Sequence, residues 1–249
     1  MAQGQDPSSK RKTLGSAPRA KSPIPVEAAA SSEHVVPEQP ASSAGAQRLV
    51  DELVRSFREQ IRRSLQVELD MTPTSLAFVD HYLSLARDEE RPAIMTLVAA
   101  GAGAYYGELV RDQIGATWIG VEDDPRRLRL LVTPQFVYFS PVDQAWQAIV
   151  SGDEARSPVG SPIDDAFHMY PIRNGDTGSG GLASDAAWLE ARLAELSPVP
   201  EDQFYSLTCR FETLQLMLEL LAAKHADEGR APQEYGLGEY LEVLRAASN

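Results

Sequence analysis

The chain has 249 residues, 43% of them hydrophobic, and a net charge of −13 from 36 acidic against 23 basic side chains. That length supports one sizeable core, or one core with an appendage. The acidic balance excludes the folded part as a general ligand for nucleic acid, and the lone Cys209 excludes an intrachain disulfide or a cysteine metal cluster.

The charge is unevenly spread. Lys10, Arg11, Lys12, Arg19 and Lys21 against Asp6 give residues Met1 to Ile24 a charge of +4. Glu27, Glu33 and Glu38 give Pro25 to Gly45 a charge of −3, which leaves −14 for the remainder. Residues 1–44 are rich in Ser, Pro, Ala and Gln and cannot bury enough apolar area to offset the entropy of ordering. They are predicted to be a disordered tail, followed by a globular domain over 45–249. The Lys10-Arg11-Lys12 cluster reads as solubilising charge that adds a weak electrostatic contact to a partner, nucleic acid or anionic lipid. No apolar stretch follows it as in a secretory signal, so the expected location is cytoplasmic. After Lys21 the only lysine is Lys224, and the bias toward Ala and Arg is what a GC-rich bacterial genome would produce.

An amphipathic helix is predicted from Ala46 to about Gln66, with Leu49, Val50, Leu53, Val54, Phe57 and Ile61 on one face and Arg55, Arg58, Glu59, Arg62 and Arg63 elsewhere. Arginines at its end suit the negative pole of the helix dipole. A second helix is expected over Thr74 to Arg87, capped by Thr72 or Thr74, with Leu76, Val79, Leu83 and Ala86 inward.

Residues Pro92 to Ile114 are the centre of the chain. Pro92 favours a first helical position, where its missing donor costs nothing. Ile94, Leu97, Val98, Ala102, Tyr105, Leu109 and Ile114 recur at three- and four-residue steps, the spacing of a continuous apolar stripe. A second row, Ala99, Gly103 and Gly107, has almost no side chain. Glycine inside a helix costs about 1 kcal/mol relative to alanine, so this row predicts close approach by another helix backbone. The uncharged run ends at Gly107, short of the roughly 20 residues that cross a bilayer, and a buried core helix rather than a membrane span is expected.

Beyond Gly115 the period becomes two. Strands are predicted at Thr117–Val121, Leu128–Val132 and Phe136–Phe139, with turns at 122–126 and 133–135, forming an antiparallel meander. Ser140-Pro141 caps a short helix carrying Val142, Ala145, Trp146 and Ile149. Residues 151–181 are irregular, with a short element at Ile163–Ile172 and a glycine-rich loop at Asn174–Gly181. Helices are expected from Ser184 or Asp185 to Leu196, from Glu201 to Ala226 with Phe204, Leu207, Phe211, Leu214, Leu218 and Leu221 inward, and from Glu234 to Ala247 with Leu237, Leu241 and Leu244 inward.

The chemical motifs are sparse. Asp176-Thr177-Gly178-Ser179 copies the aspartic-protease tetrapeptide but lacks the preceding apolar strand and the second copy that a shared-proton dyad needs. It reads as a loop. None of the four histidines has a second metal ligand at HExxH spacing. His34 is in the tail, His81 and His225 are expected on helix surfaces, and His168 lies beside Asp164 and Asp165, a weak metal or acid/base arrangement for which ordinary packing or turn structure is the favoured reading. Glu108 is the acid of interest. It shares a helix face with Tyr105 and Asp112, one turn from Arg111, in a segment where a charge costs several kcal/mol unless paired. An Arg111–Glu108 pair with Trp118 or Tyr106 as neighbour is expected to fasten helix to sheet.

Gly103-Ala104-Tyr105-Tyr106-Gly107-Glu108-Leu109-Val110-Arg111, followed by Gly115 and Trp118, resembles a G-A-Y-x-G-E-x-[IV]-R helix motif of uncharacterised bacterial proteins. The resemblance runs through the meander to Phe139. It implies no activity, cofactor or catalytic residue, and associates the chain only by type with accessory or immunity-like binders.

The sequence therefore predicts an α+β fold, mostly helical, with a small three-stranded antiparallel meander packed on a buried central helix. The expected function is non-enzymatic protein binding, with no cofactor, no metal, and Trp146, Trp188, Tyr235 and Tyr240 as candidate contact aromatics. The alternative is a small-molecule-binding or hydrolytic domain with a pocket lined by Tyr105, Glu108, Arg111 and Trp118.

Overall fold

The computed structural model describes residues 43–121, 123–150, 185–196 and 199–241, and the architecture is α+β. Helices α1 (Ser43–Leu65) and α2 (Leu76–Leu85) precede α3 (Pro92–Gln113). Strands β1 (Ala116–Val121), β2 (Asp124–Val132) and β3 (Val137–Phe139) follow, then α4 (Pro141–Val150). Helices α5 (Asp185–Ala194), α6 (Glu201–Phe204) and α7 (Leu207–Asp227) come next, and residues 237–241 are again helical. The readings at Lys10, Arg11, Lys12 and His34, at Ile163–Ile172 with His168, at Asp176–Ser179, and at Leu244 lie outside the described residues.

Every residue of α3 from Val98 to Val110 is buried, as a helix apolar on all sides requires. Among the described residues α3 is also the one helix long and apolar enough to cross a membrane, and 67% of that window is buried inside the fold. Leu97 departs from the expected inward stripe and is 59% exposed. The first turns of α3 project beyond its neighbours, and periodicity cannot tell where enclosure begins.

The small-residue row does what its cost requires. A Cβ on Gly103 would lie 2.6 Å from the Pro141 carbonyl oxygen and the Val142 Cα, so the start of α4 rests directly on α3. At Gly107 the neighbour is a ring rather than a helix, and a Cβ there would meet the Trp118 indole at 2.3 Å. Ser140 accepts a hydrogen bond from Asp143 N (3.2 Å) and Pro141 opens α4, as the sequence predicts.

The sheet is an antiparallel meander in the order β1-β2-β3, with Trp118 opposite Leu130 and Leu130 opposite Phe139. Its two faces follow the strand period of two. Trp118, Leu128, Leu130, Val132, Val137 and Phe139 join the main core with α1, α3 and α4. Ile119, Leu131 and Tyr138 face the other way, in a second cluster with Phe136 and Tyr240. The first turn is tighter than predicted, because Val121 already pairs with Asp124. Pro125 thus falls within β2, where β3, which covers only Leu130–Val132, demands no ladder bond of it.

Four expectations fail. Neither Thr72 nor Thr74 caps α2 with its side chain; a 3₁₀ turn at Pro73–Ser75 leads into it. The single helix predicted from Glu201 breaks at Tyr205-Ser206, where Ser206 accepts from Cys209 N and the Asp80 carboxylate of α2 accepts from Leu207 N (2.7 Å) and Thr208 N (3.0 Å). Those amides are the unpaired donors of a new helix start, so a carboxylate distant in sequence stabilises a break that local propensity does not announce. Phe204, before the break, is 36% exposed rather than inward. At the end of the described chain Leu237 is exposed, and Tyr240 is buried in its place. The Tyr240 hydroxyl donates toward Val132 O (2.6 Å) and accepts from Val137 N (2.9 Å), clasping the β2–β3 turn. Burial pushes that hydroxyl far above its ordinary range.

Asp185 fixes α5 to α7. Its carboxylate meets Lys224, His225 (3.0 Å) and Arg230 (2.9 Å), which makes His225 a half-buried partner rather than the surface residue expected. Burial alone would raise the Asp185 carboxyl, but the hydrogen bonds from Arg230, Lys224 and His225 outweigh it and hold the group well below the carboxylate range.

Gly103→Ala should therefore lower stability by about 1–3 kcal/mol through overpacking against backbone, read from urea denaturation. A depressed folded-state pKa contributes stability that is present above the unfolded value of about 3.9 and lost as pH falls below it. Asp185→Asn should accordingly flatten the acid limb of a stability-versus-pH curve, with the wild type and variant converging as pH drops beneath that value.

Candidate functional site

Glu108 sits on the face of α3 toward α1 and β1, with only 9% of its surface exposed. Arg111, one turn along the same helix, donates to both carboxylate oxygens at 2.9 and 2.8 Å. Trp118 Nε1 of β1 donates to Oε1 at 2.7 Å, and Gln47 Nε2 of α1 reaches the same oxygen at 3.2 Å. The forked guanidinium holds the carboxylate edge-on while the indole and amide approach from neighbouring elements. The pairing with Glu108 in turn raises the Arg111 guanidinium. A helix, a second helix and a strand thus meet on one buried charge.

Tyr105 belongs to a different network. Its hydroxyl accepts from Met71 N (3.0 Å) and lies 2.6 Å from Ser75 Oγ, which donates to Thr72 O (2.6 Å). Because the serine proton is directed at Thr72, the tyrosine is the donor to Ser75. Burial pushes the Tyr105 hydroxyl up and keeps it protonated. Tyr106, the other neighbour suggested for Glu108, instead packs on Phe139 at 6.1 Å.

Beside Glu108 opens a groove of about 790 Å³. Asp51, Val54, Arg55, Arg58, Glu59 and Arg62 of α1 form one wall, Glu68, Leu69 and Met71 the other, and Glu108 one edge. Tyr105, Arg111 and Trp118 are not among its lining residues, so the four residues singled out in the sequence do not surround one cavity. The second wall is a strap over residues 66–71 with a left-handed residue at each end, Gln66 at φ 58° and Met71 at φ 60°. Gln66 terminates α1 and donates its N–H to Arg62 O, the role a glycine usually takes. Met71 has no such local reason. It is held by the Tyr105 hydroxyl, while Arg58 donates to Leu69 O at 2.8 Å and the Leu69 side chain is buried.

The groove's carboxylates differ in their engagement: Asp51 accepts from Gln47 (2.9 Å), and Glu68 is exposed on the strap. Glu108 is engaged by donors, and Glu59 accepts from Arg62 (2.8 Å) and Arg63 (2.7 Å). Among the described residues no group of three or more His, Cys, Asp or Glu is placed to hold a metal ion. The aromatics suggested as contacts are largely inward: Tyr240 is buried, and Trp146, Trp188 and Tyr235 are half-buried against the cores. The strap and the groove were not anticipated, since neither Gln66 nor Met71 is a residue type that signals a left-handed turn.

No protein-family model, curated protein or solved structure matches this chain.

Glu108→Gln keeps the shape but turns an amide N–H₂ toward the Arg111 or Trp118 donors. It should cost about 1–3 kcal/mol in denaturant unfolding, the penalty of buried polar groups left without partners.

Proposed function

We propose that this chain is a non-enzymatic protein-binding domain that receives its partner in the groove between α1 and the 66–71 strap. The observation that carries this reading is Met71. A bulky non-glycine residue in the left-handed region costs of order 1–2 kcal/mol and persists where the surrounding structure enforces it, commonly at functional sites. Here it sets the far wall of an open groove lined by exposed arginines. An open, polar-rimmed groove with apolar residues in its walls suits a protein surface or segment better than a reacting small molecule. The resemblance of Gly103–Arg111 to uncharacterised bacterial proteins favours an accessory or immunity-like binder working in the cytoplasm, with Lys10, Arg11 and Lys12 adding a weak electrostatic contact.

The competing reading, a small-molecule or hydrolytic pocket built on Glu108, has the groove's volume in its favour, since about 300–1,000 Å³ is usual for such sites. Against it stands the engagement of both Glu108 oxygens by Arg111, Trp118 and Gln47.

Affinity capture on the full chain from a bacterial lysate, followed by hydrogen exchange of the purified complex, tests the proposal. Slowed exchange over residues 51–71 is expected. Failure to recover a partner, or protection confined to other surfaces, would contradict it.

A further inference from the structure

We draw no further inference here: the strongest candidate, the groove between α1 and the 66–71 strap, sets the carboxylates of Asp51, Glu59, Glu68 and Glu108 against Arg55, Arg58 and Arg62, so its charge selects no occupant and nothing in the structure shows what covers it.

Discussion

Trp118 meets two consecutive residues of α3: its ring occupies the space where Gly107 has no side chain, and its indole N–H reaches the Glu108 carboxylate. The glycine makes the approach possible and the glutamate gives the buried N–H an acceptor. Either substitution on α3 alone would leave the other contact strained or unsatisfied. Around this junction the sheet, α1 and α3 take fixed positions, because Gln47 and Arg111 complete the same carboxylate. Gly103, one turn earlier, seats the start of α4 by the same absence of a side chain.

The junction engages both oxygens of Glu108, so this carboxylate serves the packing of α3, α1 and β1. The α1 groove opens beside it. The strap is pinned from below by Tyr105 and from the side by Arg58, and Leu69 is buried beneath it. A left-handed Met71 is tolerable only in such surroundings. Leu85 and Phe78 are further exposed apolar side chains, and neither lines the groove.

Much of this was legible in the sequence wherever one local rule dominated. Pro92 opens α3, the unbroken apolar run forecasts its burial, and the small-residue row forecasts a close neighbour. Period-two alternation through Trp118, Leu130 and Phe139 forecasts the meander. The Glu108–Arg111 spacing and the nearby tryptophan suggested the tie between helix and sheet. Illegible were the features set by residues far apart in the chain. Asp80 starts α7 from α2, Tyr240 clasps a turn of the sheet, and Asp185 gathers Lys224, His225 and Arg230. Leu97 and Phe204 have the right spacing and the wrong surroundings. The groove escaped because its walls come from an ordinary amphipathic helix and a strap whose left-handed residues are not of the types that favour that conformation.

The account turns on whether Glu108 and Trp118 act as one structural unit, and a double-mutant cycle measures that directly. Glu108→Gln, Trp118→Phe and the double variant would be unfolded in denaturant and compared with the wild type. The account predicts a coupling of about 1–2 kcal/mol, as for residues sharing a buried hydrogen bond. Strictly additive effects, with the two side chains contributing independently, would contradict it.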